Sequence, residues 1–187
     1  MTKYILIGIG IYLAIQIAYR LSKKFSIVKS RWMYMFDGLK FSTEDFYTSV
    51  QELIQSKEMS RVAIEKVKFD QTNIYASDQL YLRIAREESM FLICAAPFGT
   101  GFFVSWWFGE PIDWAKEIVL ILPIIGYLLR KTIYTKTFYR IDVDDMFSEM
   151  VKHCVKEAIE NMIEGKGIRK PLEREYQETR VTPVLAQ

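Results

Sequence analysis

Charge is segregated along this chain, and that segregation constrains the fold more than any motif does. Asp, Glu, Lys and Arg are absent from 4–19, 90–109 and 118–129 and crowded elsewhere. An uncharged apolar run of this kind has to leave water, either in a protein core or in lipid hydrocarbon.

The first run, Tyr4–Tyr19, holds one strongly polar side chain, Gln16. As a helix it is about 24 Å long, and Leu21 with a snorkelling Arg20 extends it towards hydrocarbon thickness. Only Lys3 precedes it, and Arg20-Leu-Ser-Lys-Lys follows, which is a stop-transfer pattern and not a signal-peptide cleavage site. Residues 1–21 are therefore expected to form a transmembrane anchor. Gly10, Ala14 and Ala18 recur every four residues on it, a ridge of small side chains that lets helices approach closely.

The second run is Met90–Phe108 and the third Ile118–Leu129, separated by the short acidic stretch 109–117. Together, 90–129 reads as a transmembrane or re-entrant hairpin, kinked at Pro97, Gly99, Gly101 and Pro123. Trp106, Trp107 and Trp114 flank its tip, where amphipathic rings prefer the headgroup region. Trp32 opens Trp-Met-Tyr-Met-Phe over 32–36, which reads as an interfacial belt or a satellite core. The competing reading is a buried strand over 90–96 and a core helix over 118–129.

Flanking charge sets the orientation. Arg20, Lys23, Lys24, Lys29, Arg31 and Lys40 follow the first run, and Arg130, Lys131, Lys136 and Arg140 follow the third. The tip carries Glu110, Asp113 and Glu117 against Lys116. Basic flanks stay cytoplasmic. Three crossings then place the N-terminus outside and the bulk of the chain in the cytoplasm.

Between the apolar runs, 22–89 reads as a helix plus an antiparallel sheet. Ser42-Thr-Glu-Asp45 is a capping pattern opening a helix to about Ser56, with Phe46, Val50, Leu53 and Ile54 on one face. Arg61–Asp70 alternates, with a bulge expected at Glu65-Lys66, and Thr72–Ala76 is a further strand. Ser77-Asp78 is a turn, and Gln79–Arg86 is a strand with Leu80, Leu82 and Ile84 on one side and Tyr81, Arg83 and Ala85 on the other. A second helix fills 130–165, with Asp142 as N-cap and Gly165 as stop. Its apolar face, including Phe147, Val151, Val155 and Ile159, needs a protein partner: the sheet or a second subunit. Residues 166–187 read as an extended tail.

No catalytic constellation emerges. The single histidine, His153, lies on the polar side of its helix, and Cys94 and Cys154 read as buried small hydrophobes. Neither metal-ligand spacing nor a phosphate loop is present, so no cofactor or metal is expected. A net charge of +2 does not argue for nucleic acid. The fold class expected is a membrane α+β protein. Its function is expected to be that of a non-enzymatic scaffold or accessory subunit, holding a homo-oligomer or a larger complex at the membrane and contacting lipid. The alternative is a channel or transporter subunit built around 90–129.

Overall fold

The computed structural model describes residues 25–69, 79–111 and 137–181. Six antiparallel strands form one sheet: β1 (Phe25–Phe36), β2 (Ala63–Phe69), β3 (Gln79–Arg86), β4 (Ser89–Phe98), β5 (Gly101–Pro111) and β6 (Thr179–Arg180). Their spatial order is β2-β3-β4-β5-β1-β6. Helices α1 (Thr43–Ser56) and α2 (Phe138–Ile163) pack on each other and on one face of the sheet.

The second apolar run is therefore strand and not helix. Met90–Phe98 and Gly101–Pro111 pair from Met90↔Gly109 to Phe98↔Gly101 across a two-residue turn. Gly99 sits there at φ +58°, where the turn favours a residue without a side chain. The residues expected to kink a membrane helix instead punctuate a hairpin. Phe91, Ile93 and Ala95 point to the helices, while Met90, Leu92 and Cys94 point to the opposite face, and all six are buried. A strand buried on both faces is apolar throughout, which is why hydropathy alone does not distinguish it from a membrane span.

This finding overturns the membrane fold class and the localisation drawn from it. The central crossing is a pair of sheet strands, and no helix among the described residues is long and apolar enough to cross a membrane. Glu110, assigned to an exposed outer tip, lies in β5 opposite Ile27 and pairs with Lys29 at 3.1 Å. The channel reading built on 90–129 loses its hairpin for the same reason. Tyr4–Tyr19 with Gly10, Ala14 and Ala18, and Ile118–Leu129, lie outside the described residues, as do Trp114, Thr72–Ala76 and Ser77-Asp78.

Other elements follow local chemistry. Ser42 caps α1, its side chain accepting from the Asp45 N–H at 3.3 Å. Strand β3 spans Gln79–Arg86 with the expected sidedness, Leu82 and Ile84 entering the main core and Tyr81 and Ala85 the small opposite cluster. The bulge expected at Glu65-Lys66 is absent, because β2 and β3 pair in unbroken register from Ala63↔Ala85 to Phe69↔Gln79. Irregularities fall instead in β1, between Phe25 and Ile27 and between Val28 and Ser30. The cap of α2 lies five residues before the expected one, at Thr137, whose hydroxyl accepts from the Arg140 N–H. The segment 32–36 is the second half of β1, paired with Phe102–Trp106 of β5.

The main core is aromatic and sits between sheet and helices. Phe46 on α1 meets Phe102 at 6.1 Å, and Phe147 on α2 meets Phe91 at 5.9 Å, both edge to face. The Tyr47 hydroxyl is the polar link: it donates to Leu80 O at 2.7 Å and accepts from the Ala95 N–H at 3.0 Å. Burial holds its pKa well above the usual tyrosine range, so the proton that makes the first bond stays in place.

Close approach of strands is specified at one glycine. A Cβ on Gly101 would lie 2.7 Å from the Phe36 carbonyl oxygen, which is backbone and cannot swing away. Gly101→Ala is expected to cost about 1–3 kcal/mol through forced separation of β1 and β5, read as a lower urea midpoint with an unchanged slope. Ile159→Asp buries a carboxylate among aliphatic side chains, at an expected cost of several kcal/mol. Loss of the cooperative unfolding transition in that variant is the readout.

Candidate interaction surface

The residues expected to mediate assembly divide by position. Phe147, Val151, Val155 and Ile159 are buried within this chain, against the sheet and α1, so their apolar demand is met internally. Trp32 and Trp106, expected at a lipid interface, are core residues 4% and 0% exposed. Trp107 points to the other sheet face, half-buried beside Val67, Met90 and Leu92. The three small residues of the first run and Trp114 remain outside the described residues.

Two surfaces stand out. The first is the outer side of α2. At about 100° per residue, Tyr139, Met146 and Met150 fall within about 40° of one another, roughly 120° around the helix from the mean direction of Phe147, Val151 and Val155, and Phe138 lies at the helix start about 100° from Tyr139. Phe138 is 89% exposed, Tyr139 77% and Met146 70%. These are large apolar side chains on a helix whose other side already fills the core.

The second surface is occupied by the chain itself. After α2, Gly165 and Gly167 take φ +71° and +67°, and the chain turns back across the sheet as a 3-10 helix, Glu173–Tyr176, followed by β6. This strap is part of the tail expected to be extended. It lies on a shelf made by Trp32 and Trp106, whose rings stack at 4.2 Å. Tyr176 stacks on Trp32 at 5.4 Å, with the Lys156 ammonium 5.0 Å from its ring centre.

The polar contacts are directional. The Trp32 indole N–H donates to Glu175 O at 2.6 Å, and the Trp106 indole N–H to Glu178 Oε1 at 3.2 Å. Glu178 also pairs with Lys152 at 2.9 Å. Burial works against the Lys152 ammonium, yet Glu178 and Glu149 more than offset it and hold its pKa above the usual value. Glu175 accepts from the Leu172 N–H at 2.6 Å and from Arg169 at 2.7 Å, and these bonds hold its carboxyl below the usual range. One fit is poor: the Tyr176 hydroxyl is buried without a hydrogen-bond partner among the described residues.

Sequence reasoning missed Lys152, Tyr176 and Glu178. Tyr176 meets Trp32 across 144 positions and Glu178 meets Trp106 across 72, and no local spacing announces them. An aromatic residue inside a charged tail was the available signal.

Groups able to do chemistry are elsewhere and paired. A cleft of about 390 Å³ between the β3–β4 turn and the start of α2 contains Arg61, Arg86 and Arg140 with Glu87, Glu88 and Asp144. Arg61 meets Glu87 at 3.0 Å, Arg140 meets Glu88 at 3.5 Å, and the Arg86 guanidinium donates to Ser60 O at 3.2 Å. The charges balance, so the cleft favours neither anions nor cations. Cys94 and Cys154 are buried, and burial raises both thiols, which disfavours the reactive thiolate. His153 is exposed, 3.8 Å from Glu157. Among the described residues, no group of three His, Cys, Asp or Glu is placed to hold a metal.

Tyr176→Phe removes the unpaired hydroxyl and keeps the stack, so it is expected to stabilise the domain by about 1 kcal/mol, measured by urea unfolding. Strap docking should also respond to acid. Because Glu175 titrates below its unfolded value, its contribution is complete above the usual carboxylate pKa and is lost as pH falls through the depressed one. Trp32, bonded to the Glu175 carbonyl, reports the release as a red shift of indole emission; Glu175→Gln should remove that acid transition.

No protein-family model matches the chain, and no curated protein matches it. Among solved structures, the crystal structure of TTHA0849 from Thermus thermophilus aligns with 71% of this chain and 98% of that one, at 14% identity and a TM-score of 0.25. Agreement that low supports no statement about fold or activity.

Proposed function

We propose that this domain is a non-enzymatic scaffold or accessory module whose task is to hold copies of itself together. One observation carries the reading: Tyr139, Met146 and Met150 are exposed along one row of α2, with Phe138 exposed at its start. Large apolar side chains aligned in water along one helix row favour association, whereas singly scattered ones do not. A helix stripe of this kind pairs readily with its own copy about a two-fold axis, because each residue meets an apolar residue of the other helix. Two further features favour binding over catalysis. The arginines of the polar cleft are matched by carboxylates or a backbone carbonyl, and both thiols are buried.

Mass photometry of the full chain tests the proposal. A concentration-dependent dimer is expected for the wild type and a monomer for Met146→Asp, which puts a charge in the stripe without touching the core. If the wild type is a monomer throughout, or Met146→Asp leaves the dimer intact, the stripe does not assemble the protein.

A further inference from the structure

The strap is bound to the domain as a peptide ligand is bound. Its aromatic ring lies on an aromatic shelf, its carboxylate meets an ammonium and an indole N–H, and its last residues add a strand to a sheet edge. From this we infer that the Trp32–Trp106 shelf is a docking site for an extended segment of a partner protein carrying Phe-x-Glu, held closed by the chain's own Tyr176-Gln177-Glu178. The inference extends the reading of the domain as an interaction module, and it concerns a different surface from the α2 stripe.

Three observations make the strap a replaceable occupant. Its strand pairing is short, since β6 pairs Arg180 with Ser30 and Thr179 with Arg31, with one flanking bond from the Val181 N–H to Lys29 O at 3.1 Å, and no residue of Glu173–Tyr176 is fully buried. Beyond Glu178 towards Tyr176 it leaves the ladder for the 3-10 helix, so Met33–Phe36 of β1 face no strand partner on that side among the described residues. The strap also fits imperfectly, because the shelf buries the Tyr176 hydroxyl and offers it no partner. A phenylalanine fills the same place without that loss. Finally, its attachment turns at two glycines with positive φ, Gly165 and Gly167, in an exposed connection.

The domain side selects the chemistry. Trp106 is completely buried, and its indole N–H is satisfied by a strap carboxylate. The Lys152 side chain is 13% exposed, so it favours an occupant that brings a negative charge. Lys156 lies over the aromatic position and favours a π-face there. Aromatic, spacer, carboxylate is the pattern these groups specify.

The test is fluorescence anisotropy with a fluorescein-labelled peptide of residues 168–181 in which Phe replaces Tyr176. It is titrated against the wild-type full chain and against the full chain carrying Tyr176→Ala and Glu178→Ala. The tethered strap competes at a high effective concentration, so the loosened chain should bind at least about tenfold tighter than wild type. The Phe peptide should bind several-fold tighter than its Tyr counterpart, and adding Lys152→Ala to the loosened chain should weaken both. Equal binding by wild type and loosened chain, or binding by neither, overturns the inference. So does loss of the folded circular dichroism spectrum in the loosened chain, because the shelf would then not exist without its strap. A strap-dependent dimer in mass photometry, with the peptide binding neither chain, overturns it too, because the shelf then takes a second copy's strap and not a partner. None of these outcomes depends on Met146, so failure here is distinguishable from failure of assembly through α2.

Discussion

The antiparallel pairing of β1 with β5 holds this domain together. The two strands are some seventy residues apart in sequence, and they pair from Phe25↔Pro111 to Phe36↔Phe102. At the centre of that ladder Trp32 lies opposite Trp106, and their rings stack on the helix-facing side. The pair closes the core between β5 and α2, and it also forms the shelf on which the C-terminal strap rests. Pairing the first strand with β5 means that the sheet cannot complete until β5 exists. Long-range closure of that kind costs chain entropy before it returns contacts.

The helices and the strap divide the work of covering the sheet. Helix α1 covers the β3–β4 side through Phe46, Tyr47, Val50 and Ile54, with the Tyr47 hydroxyl tying it to both strands. Helix α2 runs beside it and supplies Phe147, Val151, Cys154, Val155 and Ile159. Around Trp32 and Trp106, Tyr176 and Glu178 complete the cover, with Lys152 and Lys156 of α2 reaching them. The strap therefore serves packing as well as recognition. A segment that satisfies two indole N–H groups is both a structural cover and a ready competitor for any ligand of the same chemistry.

Several local features were readable from residue types. Ser42 as a helix cap, the span and sidedness of Gln79–Arg86 and the apolar face of Phe147, Val151, Val155 and Ile159 each rest on neighbours within a few positions, and each is present. The reading failed where one local signal has two physical causes. Met90–Phe108 is uncharged because β4 and part of β5 are buried on both faces, and hydrocarbon burial leaves the same signature. Pro97, Gly99 and Gly101 were visible as breakers, but whether they break a helix or turn a hairpin depends on whether Phe36 lies alongside. The same ambiguity moved Trp32 and Trp106 from an expected lipid interface to the core.

Residue types and their spacing suffice to say which segments must leave water, where α1 begins and which sides of β3 and α2 are apolar, because these depend on side-chain chemistry and on the helical or strand period alone. That the segments 25–36 and 90–111 pair with one another as strands was settled only in three dimensions. The same holds for Lys152, Tyr176 and Glu178, which the fold brings to the same two tryptophans. The physical reason is that burial is local in energy but not in partner. A residue type states how strongly a side chain avoids or needs water, and it does not state which distant surface will satisfy it.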